Sequence, residues 1–289
     1  MTVIVTGAAG FIGRHLKNDL QLVKKVVGCD VVGTNVISPH ACLLALQEGN
    51  IDIECVYHLG AISSTTETNI ARLTENNIKF SAALMDICIA RDIPFVYASS
   101  ASVYGLGRNG FTESASLSPL NYYAISKAAV DMYAQQKMQD HPDAQIFGLR
   151  YFNVYGTGED HKEDMASPVH KFLKQARLTG EIRIFEGSDR FLRDFVHVRD
   201  VVSMTLAAPS FAESGIYNVG TGTSRSFQDV ASIIASLTGA SIKQVQFPPH
   251  LEGKYQSFTQ SDNEKIRSNG YVSKRITLEE GIVEVFSGS

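Results

Sequence analysis

Tyr123 and Lys127 stand four residues apart in a stretch, 122–138, whose apolar residues recur at helical spacing. On a helix the two side chains share one face, about a turn apart. A tyrosine titrates near 10, and bringing it to about 7 takes roughly 4 kcal/mol of preferential phenolate stabilisation. A neighbouring ammonium is one source of that stabilisation, so the pair has the makings of a phenolic acid/base tuned by an amine. Ser99 and Ser100 close an apolar run at 93–98 and offer a hydroxyl for the same chemistry. Spacing alone favours a solvated Tyr/Lys face; the N-terminal segment reverses that reading.

That segment is Thr2-Val-Ile-Val-Thr6, a short β-branched run, followed by glycines at 7, 10 and 13. The run reads as a buried parallel strand feeding a turn and a helix. Gly7 permits the tight turn, Gly10 lets backbone N–H groups approach a pyrophosphate, and Gly13 lets the helix pack close to the strand. The helix N-terminus offers unpaired donors and a positive dipole end to that anion. Asp30 ends a second apolar run, near the offset where a carboxylate accepts hydrogen bonds from an adenosine ribose. These features together predict a bound dinucleotide. Its cationic nicotinamide ring would be a second source of phenolate stabilisation, and Lys127 would hydrogen-bond its ribose.

Such groups must be positioned by a regular frame. Strand-like runs at 2–6, 25–30, 54–59, 93–98 and 145–151 alternate with helical stretches, among them 76–91 and 122–138. This alternation predicts an α/β, Rossmann-type doubly wound parallel sheet with right-handed crossovers. Ligands bind such sheets beyond the carboxyl ends of the strands. Polar clusters fall there: 60–67, 99–102 and 153–156. The stretch 31–50 is short and irregular and predicts an abbreviated helix. Beyond residue 152 the pattern loosens, with a helix near 166–179, strands near 182–186, 194–198 and 216–219, and helices near 226–238 and 262–268. We divide the chain into a dinucleotide-binding domain, 1–152 with a returning segment at about 195–219, and a smaller substrate-binding lid, 153–194 and 220–289.

Composition narrows the class. A chain of 289 residues with 44% hydrophobic and 19% charged residues suits a globular enzyme rather than a disordered chain. A net charge of −4 gives no electrostatic case for nucleic acid or an anionic membrane surface. No apolar stretch reaches spanning length, and the N-terminus reads as a core strand rather than a signal peptide. Cys29, Cys42, Cys55 and Cys88 lack the paired spacing of a zinc or redox motif, and the eight histidines form no ligand cluster. We expect no metal, and a cytoplasmic protein with reduced thiols.

The segments Thr6-Gly-Ala-Ala-Gly-Phe-Ile-Gly13, Ser99-Ser-Ala-Ser-Val-Tyr-Gly105, Tyr123…Lys127 and Arg150-Tyr-Phe-Asn-Val-Tyr-Gly156 resemble the extended short-chain dehydrogenase/reductases, which act on sugar nucleotides. The resemblance spans nearly the whole chain and implies Ser100, Tyr123 and Lys127 as the catalytic set. Gly60–Glu67, His161–Ser167, Phe185–Ser188, Arg193–Val196 and Gly253–Gln260 are similar to the ADP-glycero-manno-heptose 6-epimerases. That likeness implies NAD(P) held tightly, inversion at C6 of an ADP-linked heptose through a ketone, a homo-oligomer, and a second acid/base lysine at Lys162. It implies cofactor contacts at Phe11, Ile12, Asp30, Val31, Leu59, Gly60, Ala61, Ile62, Ser63, Asn76 or Asn77, Lys127, Val154 and Lys162. Substrate contacts are implied at Ser63, Asn153, Asp164, Lys171, Phe185, Glu186, Gly187, Ser188, Arg193 and Tyr255.

Two acid/base groups also make chemical sense. Inverting a secondary alcohol through a ketone takes hydrogen from one face and returns it to the other. With the redox partner fixed, the exocyclic carbon rotates and its oxygen points in two directions in turn, which one residue cannot easily serve. The simpler alternative for Lys162 is a solvated lysine in the charged loop 159–164. Arg193, whose guanidinium fork suits a diphosphate, is alternatively paired with Asp194. Tyr255 either stacks on a base or packs the lid. His197, in an apolar pattern, reads as a core histidine.

Departures from the family pattern carry weight. Asp164 stands where the family has a substrate-contacting serine. Val31 follows Asp30 where Asn is frequent, and no Lys or Arg occurs between 31 and 71. A carboxylate without a local cation repels a 2′-phosphate and pairs with a free hydroxyl, so NAD is favoured over NADP, Arg14 being the one nearby cation that would reverse this. Ala101 and Ser102 replace the acidic pair of the superfamily's dehydratases. A 4-epimerase would leave Lys162 unexplained, and a catalytically silent nucleotide-binding regulator would not need Ser100, Tyr123 and Lys127.

Overall fold

The computed structural model describes residues 1–33, 35–49, 51–107, 110–247 and 256–288. β1 (Thr2–Thr6) is buried along its whole length and pairs in parallel with β2 (Lys25–Cys29) on one side and β3 (Ile53–His58) on the other. β4 (Phe95–Ser100), β5 (Ile146–Tyr151) and β9 (Gly215–Val219) extend the sheet, all parallel, in the order β2-β1-β3-β4-β5-β9. The order reverses between β1 and β3, which opens a crevice at their carboxyl ends.

Helices pack on both faces. α1 (Phe11–Gln21), α2 (Pro39–Glu48) and the short α3 (Ile70–Leu73) come first. A π-helical segment, Thr74–Lys79, leads into α4 (Phe80–Ala90), and α5 (Tyr122–Asp140) is the longest helix described. The expected abbreviated helix in 31–50 is a ten-residue α2, started by Ser38, whose side chain accepts from Ala41 N, and Pro39, and ended by Gly49 at φ 71°. α5 starts where Asn121 accepts from Ala124 N. One apolar cluster (Val5, Leu16, Val96, Leu149, Val201) lies against one face of the sheet and a second (Ile4, Leu46, Val56, Leu84, Phe95) against the other.

The remaining elements form a smaller layer. β6 (Asn153–Tyr155) and β10 (Ser224–Ser226) flank β8 (Leu192–His197), and β7 (Glu181–Phe185) pairs with β11 (Ser241–Val245). α6 (Pro168–Thr179), α8 (Phe227–Thr238) and α10 (Leu278–Ser287) bury Val169, Leu173, Ile234 and Ile282 against these strands, while α7 (Val198–Ala207) packs against the main sheet's core and α9 (Glu264–Ser268) follows the undescribed stretch. β6, β10, β11 and α10 carry no expectation from sequence. No helix among the described residues is long and apolar enough to cross a membrane.

Candidate active site

A cavity of about 1020 Å³ opens along the carboxyl ends of β1, β3, β4 and β5. Its floor is the glycine turn. Gly7 has φ 66°, and a Cβ there would lie 2.6 Å from Gly60 N; a Cβ on Gly13 would run into the Gly7 carbonyl. Gly10 caps α1 without a side chain, so the first-turn N–H groups of the helix stay open to an anion. Asp30 is fixed at the rim: Ala9 N donates to Oδ2 at 2.9 Å and Val31 N to Oδ1 at 2.7 Å. Ser99 Oγ lies on the wall, buried and without a hydrogen-bond partner. A cradle of glycines, an uncapped helix end, a rim carboxylate and an orphaned hydroxyl fit an adenine dinucleotide.

The loop after β3 is held from below. Gly60 N donates to Thr6 Oγ1, which lies 2.6 Å from His58 Nδ1. His58 Nε2 then donates to Ser81 Oγ, which donates to the Asn77 carbonyl. Burial, helped by the Lys127 charge, pushes His58 down to about 3, so it stays neutral. Asn77 is spent in this network: its side chain accepts from Ile62 N and donates to the Ile62 carbonyl and Ser126 Oγ. Of the two asparagines, Asn76 is the one that lines the cavity.

Tyr123, Lys127 and Ser100 meet on the opposite wall. Lys127 Nζ donates to the Ala98 carbonyl at 2.8 Å and lies 6.0 Å from the Tyr123 ring centroid. Burial pushes Lys127 down to about 8, with Asp131 opposing. The Tyr123 phenol is pushed above its ordinary value by burial, against a hydrogen bond from Ser100. This differs from the expectation that Lys127 lowers it, because desolvation outweighs the amine, which is engaged by a carbonyl. α5 is anchored by a buried pair: Arg150 Nε donates to Asp131 Oδ2 at 2.8 Å, and Tyr97 Oη to Oδ1 at 3.0 Å.

Lys162 lines the same cavity, from the loop after β6. Its Nζ is 2.8 Å from Glu159 Oε2 and 4.5 Å from the Phe11 ring centroid. Its amine is thus partly buried and held at the cavity, where the charged loop read alone suggested a solvated lysine. Gly7, Gly10, Phe11, Ile12, Gly13, Asp30, Val31, Leu59, Gly60, Ala61, Ile62, Ser63, Val154 and Asn153 also line this cavity.

Other expected residues lie elsewhere. Phe185, Glu186, Gly187 and Ser188 sit at the end of β7 and in the turn after it, outside the cavity wall; Ser188 Oγ donates to the Phe185 carbonyl. Arg193 on β8 donates to the Leu192 and Gln256 carbonyls over the Phe227 ring. Asp194 does not pair with it; its carboxylate accepts from Thr221, Gly222 and Ser261. Asp164 is exposed, its carbonyl accepting from Lys171 Nζ. Tyr255 lies outside the described residues. His197 is fully buried, as a core histidine would be. Glu159 was not anticipated; its i,i+3 spacing to Lys162 was the available signal.

Fold and site together define a dinucleotide-dependent enzyme of the doubly wound class. The chain belongs to the NAD dependent epimerase/dehydratase family, whose model matches residues 3–220. It is 42% identical to the ADP-L-glycero-D-manno-heptose-6-epimerase of Alkalilimnicola ehrlichii, over 93% of this chain and 91% of that one. It is similar in structure to the Helicobacter pylori enzyme of that name (TM-score 0.85, 28% identity, 99% of this chain and 95% of that one). MoeE5 in complex with UDP-glucuronic acid and NAD is also similar (TM-score 0.81, 28% identity, 99% and 98%).

Proposed function

We propose that this chain inverts C6 of an ADP-linked heptose, interconverting the D-glycero and L-glycero forms. The observation that carries this reading is that Tyr123 and Lys162, from different elements, line one cavity with the glycine turn. The 42% identical relative supports the same sugar. NAD, when bound, supplies the redox step, accepting hydride from the carbinol carbon and returning it. Gly7, Gly10 and the first turn of α1 would hold its diphosphate, Asp30 its adenosine ribose, and Lys127 its second ribose. Burial holds the Tyr123 phenol above its ordinary value, with Ser100 pulling the other way, and the nicotinamide charge would draw it down toward base range. The group facing the C6 hydroxyl, deprotonated, takes that proton as the carbinol hydride leaves. After rotation the other group, protonated, gives a proton to the ketone oxygen as hydride returns. Tyr123 serves one orientation and the Lys162 amine the other.

NAD rather than NADP is supported at the rim. Val31 and Val32 are 76% and 68% exposed beside Asp30, and the Arg14 guanidinium is turned to the Gly158 carbonyl at 2.6 Å. Lys17, the cation next to this loop, reaches the Asn35 carbonyl and not the cavity. We assign Ser63 and Asn153, which line the cavity, to the sugar; the family resemblance alone assigns Arg193 and Phe185–Ser188, outside the cavity wall, to the nucleotide end. Exposed Ile125 and Met132 on α5 support a homo-oligomer, and four unpaired cysteines a reducing compartment.

The test is to incubate the protein with ADP- and GDP-linked heptoses and follow C6 configuration by NMR. Epimerisation of the ADP sugar is expected, with Tyr123→Phe and Lys162→Met each slower by roughly a hundredfold or more. Denaturation should release NAD. Unchanged turnover in either variant refutes the two-group reading, and released NADP refutes the rim argument.

A further inference from the structure

Lys162 lies in a short 3₁₀ segment, Asp160–Met165, broken at Glu163, yet the amine it presents is closely held. Glu159 is fully buried, and four donors converge on its carboxylate. Oε1 accepts from Gly156 N at 3.3 Å and Ser167 Oγ at 2.6 Å; Oε2 accepts from Ser167 N and Lys162 Nζ, both at 2.8 Å. On its other side the Lys162 ammonium faces the Phe11 ring. The loop itself is tied to α1: Arg14 donates to the Gly158 carbonyl and His15 Nε2 to the Thr157 carbonyl at 3.0 Å. Glu163, next to Lys162, has φ 44° and ψ −118°, a strained backbone that persists only where its surroundings over-determine it.

We propose that Glu159 is a positioning residue: its buried carboxylate clamps the Lys162 amine against Phe11, so that the amine keeps a fixed place relative to the glycine turn. The inference rests on the reading of Lys162 as an acid/base group. Ser167 completes the clamp and also caps α6, accepting from His170 N, so the first turn of that helix and the amine share one carboxylate. Glu159→Gln keeps the shape but removes the charge. With its amide oxygen toward Ser167 N and Lys162, its NH₂ group confronts Gly156 N–H; in the other orientation it confronts the ammonium itself.

Two measurements on the purified enzyme, with whatever nucleotide it carries, test this. The first is epimerisation of the ADP-heptose by wild type, Glu159→Gln, Glu159→Asp and Lys162→Met. The second is the rate at which Lys162 is acylated by an amine reagent, read by peptide mass spectrometry. Glu159→Gln is expected to lower kcat roughly tenfold to a hundredfold with little change in KM, and to label Lys162 several-fold faster. Glu159→Asp, which keeps the charge on a shorter arm, should fall between. If Glu159→Gln does not fold, the Asp variant carries the test by the same two readouts. Lys162→Met inactive beside a fully active Glu159→Gln with unchanged labelling overturns the clamp alone. An active Lys162→Met overturns the underlying role of the lysine, whatever Glu159 does.

Discussion

Lys127 enters the fold as a charge at a cost, and replacing it with methionine should make the protein more stable while disabling it. Desolvation takes the amine from 10.5 to about 8. At about 1.4 kcal/mol for each tenfold change in proton affinity, burying the charged form costs about 3 kcal/mol. Methionine has a similar length and no charge, but it leaves the Ala98 carbonyl without its donor, a loss of about 1 kcal/mol. The net expectation is a gain of about 2 kcal/mol near pH 7. The folded value lies below the unfolded one, so between the two the unfolded chain binds more protons and wild-type stability rises with pH. The advantage of the variant is thus full below about pH 8 and closes as pH climbs toward 10.5. Urea unfolding followed by circular dichroism, at about pH 7 and about pH 9.5 on protein stripped of nucleotide, measures both points. A variant no more stable than wild type near neutrality, or a gap that widens at high pH, refutes the reasoning.

Two further outcomes follow from packing. Gly13→Ala drives a methyl into the Gly7 carbonyl, which is backbone and cannot yield cheaply, so nucleotide binding measured by titration calorimetry should be lost or weakened by more than tenfold. Asp131→Ala leaves the Arg150 guanidinium, 1% exposed, without its carboxylate; urea unfolding should show a loss of about 3–5 kcal/mol, and a loss below about 1 kcal/mol would mean the pair is dispensable.

What the chain declares in its sequence is what short-range physics controls. The glycine turn, Asp30 and the Tyr123/Lys127 spacing lie in regular elements where position follows from period, and all reach the cavity. β6 and β10 are three residues each and exist through pairing with β8, which no local pattern announces. β11 is an exposed edge paired with β7, so it lacks the apolar alternation of a core strand. α2 did carry signals, Ser38-Pro39 before it and Gly49 after it, within a stretch whose composition reads as irregular. Glu159 looks like one more solvated charge among Glu159-Asp160-His161-Lys162-Glu163-Asp164. Its carboxylate is taken up by Gly156, Ser167 and Lys162, whereas Asp160 faces His170 at 3.8 Å and is 89% exposed.

The two proposed acid/base groups are held by opposite means, and this sets how each can fail. Tyr123 belongs to a helix of nineteen residues pinned about two turns away by the Asp131–Arg150 pair, so its place is set by rigid geometry. A weakened anchor shifts the whole helix, moving Ser126 and Lys127 with Tyr123 and disturbing the Asn77 link to the loop after β3. Lys162 sits in a short 3₁₀ segment, Asp160–Met165, that leaves helical geometry at Glu163, so no long element fixes it. Its place depends on local polar contacts, the Glu159 carboxylate and the Arg14 and His15 bonds to the loop. The last two come from α1, whose first turn forms the anion cradle. The loop group is thereby referenced to the nucleotide site directly, and the helix group through the sheet. A change at Glu159 should therefore move Lys162 alone, whereas a change at Asp131 moves Tyr123 and Lys127 together.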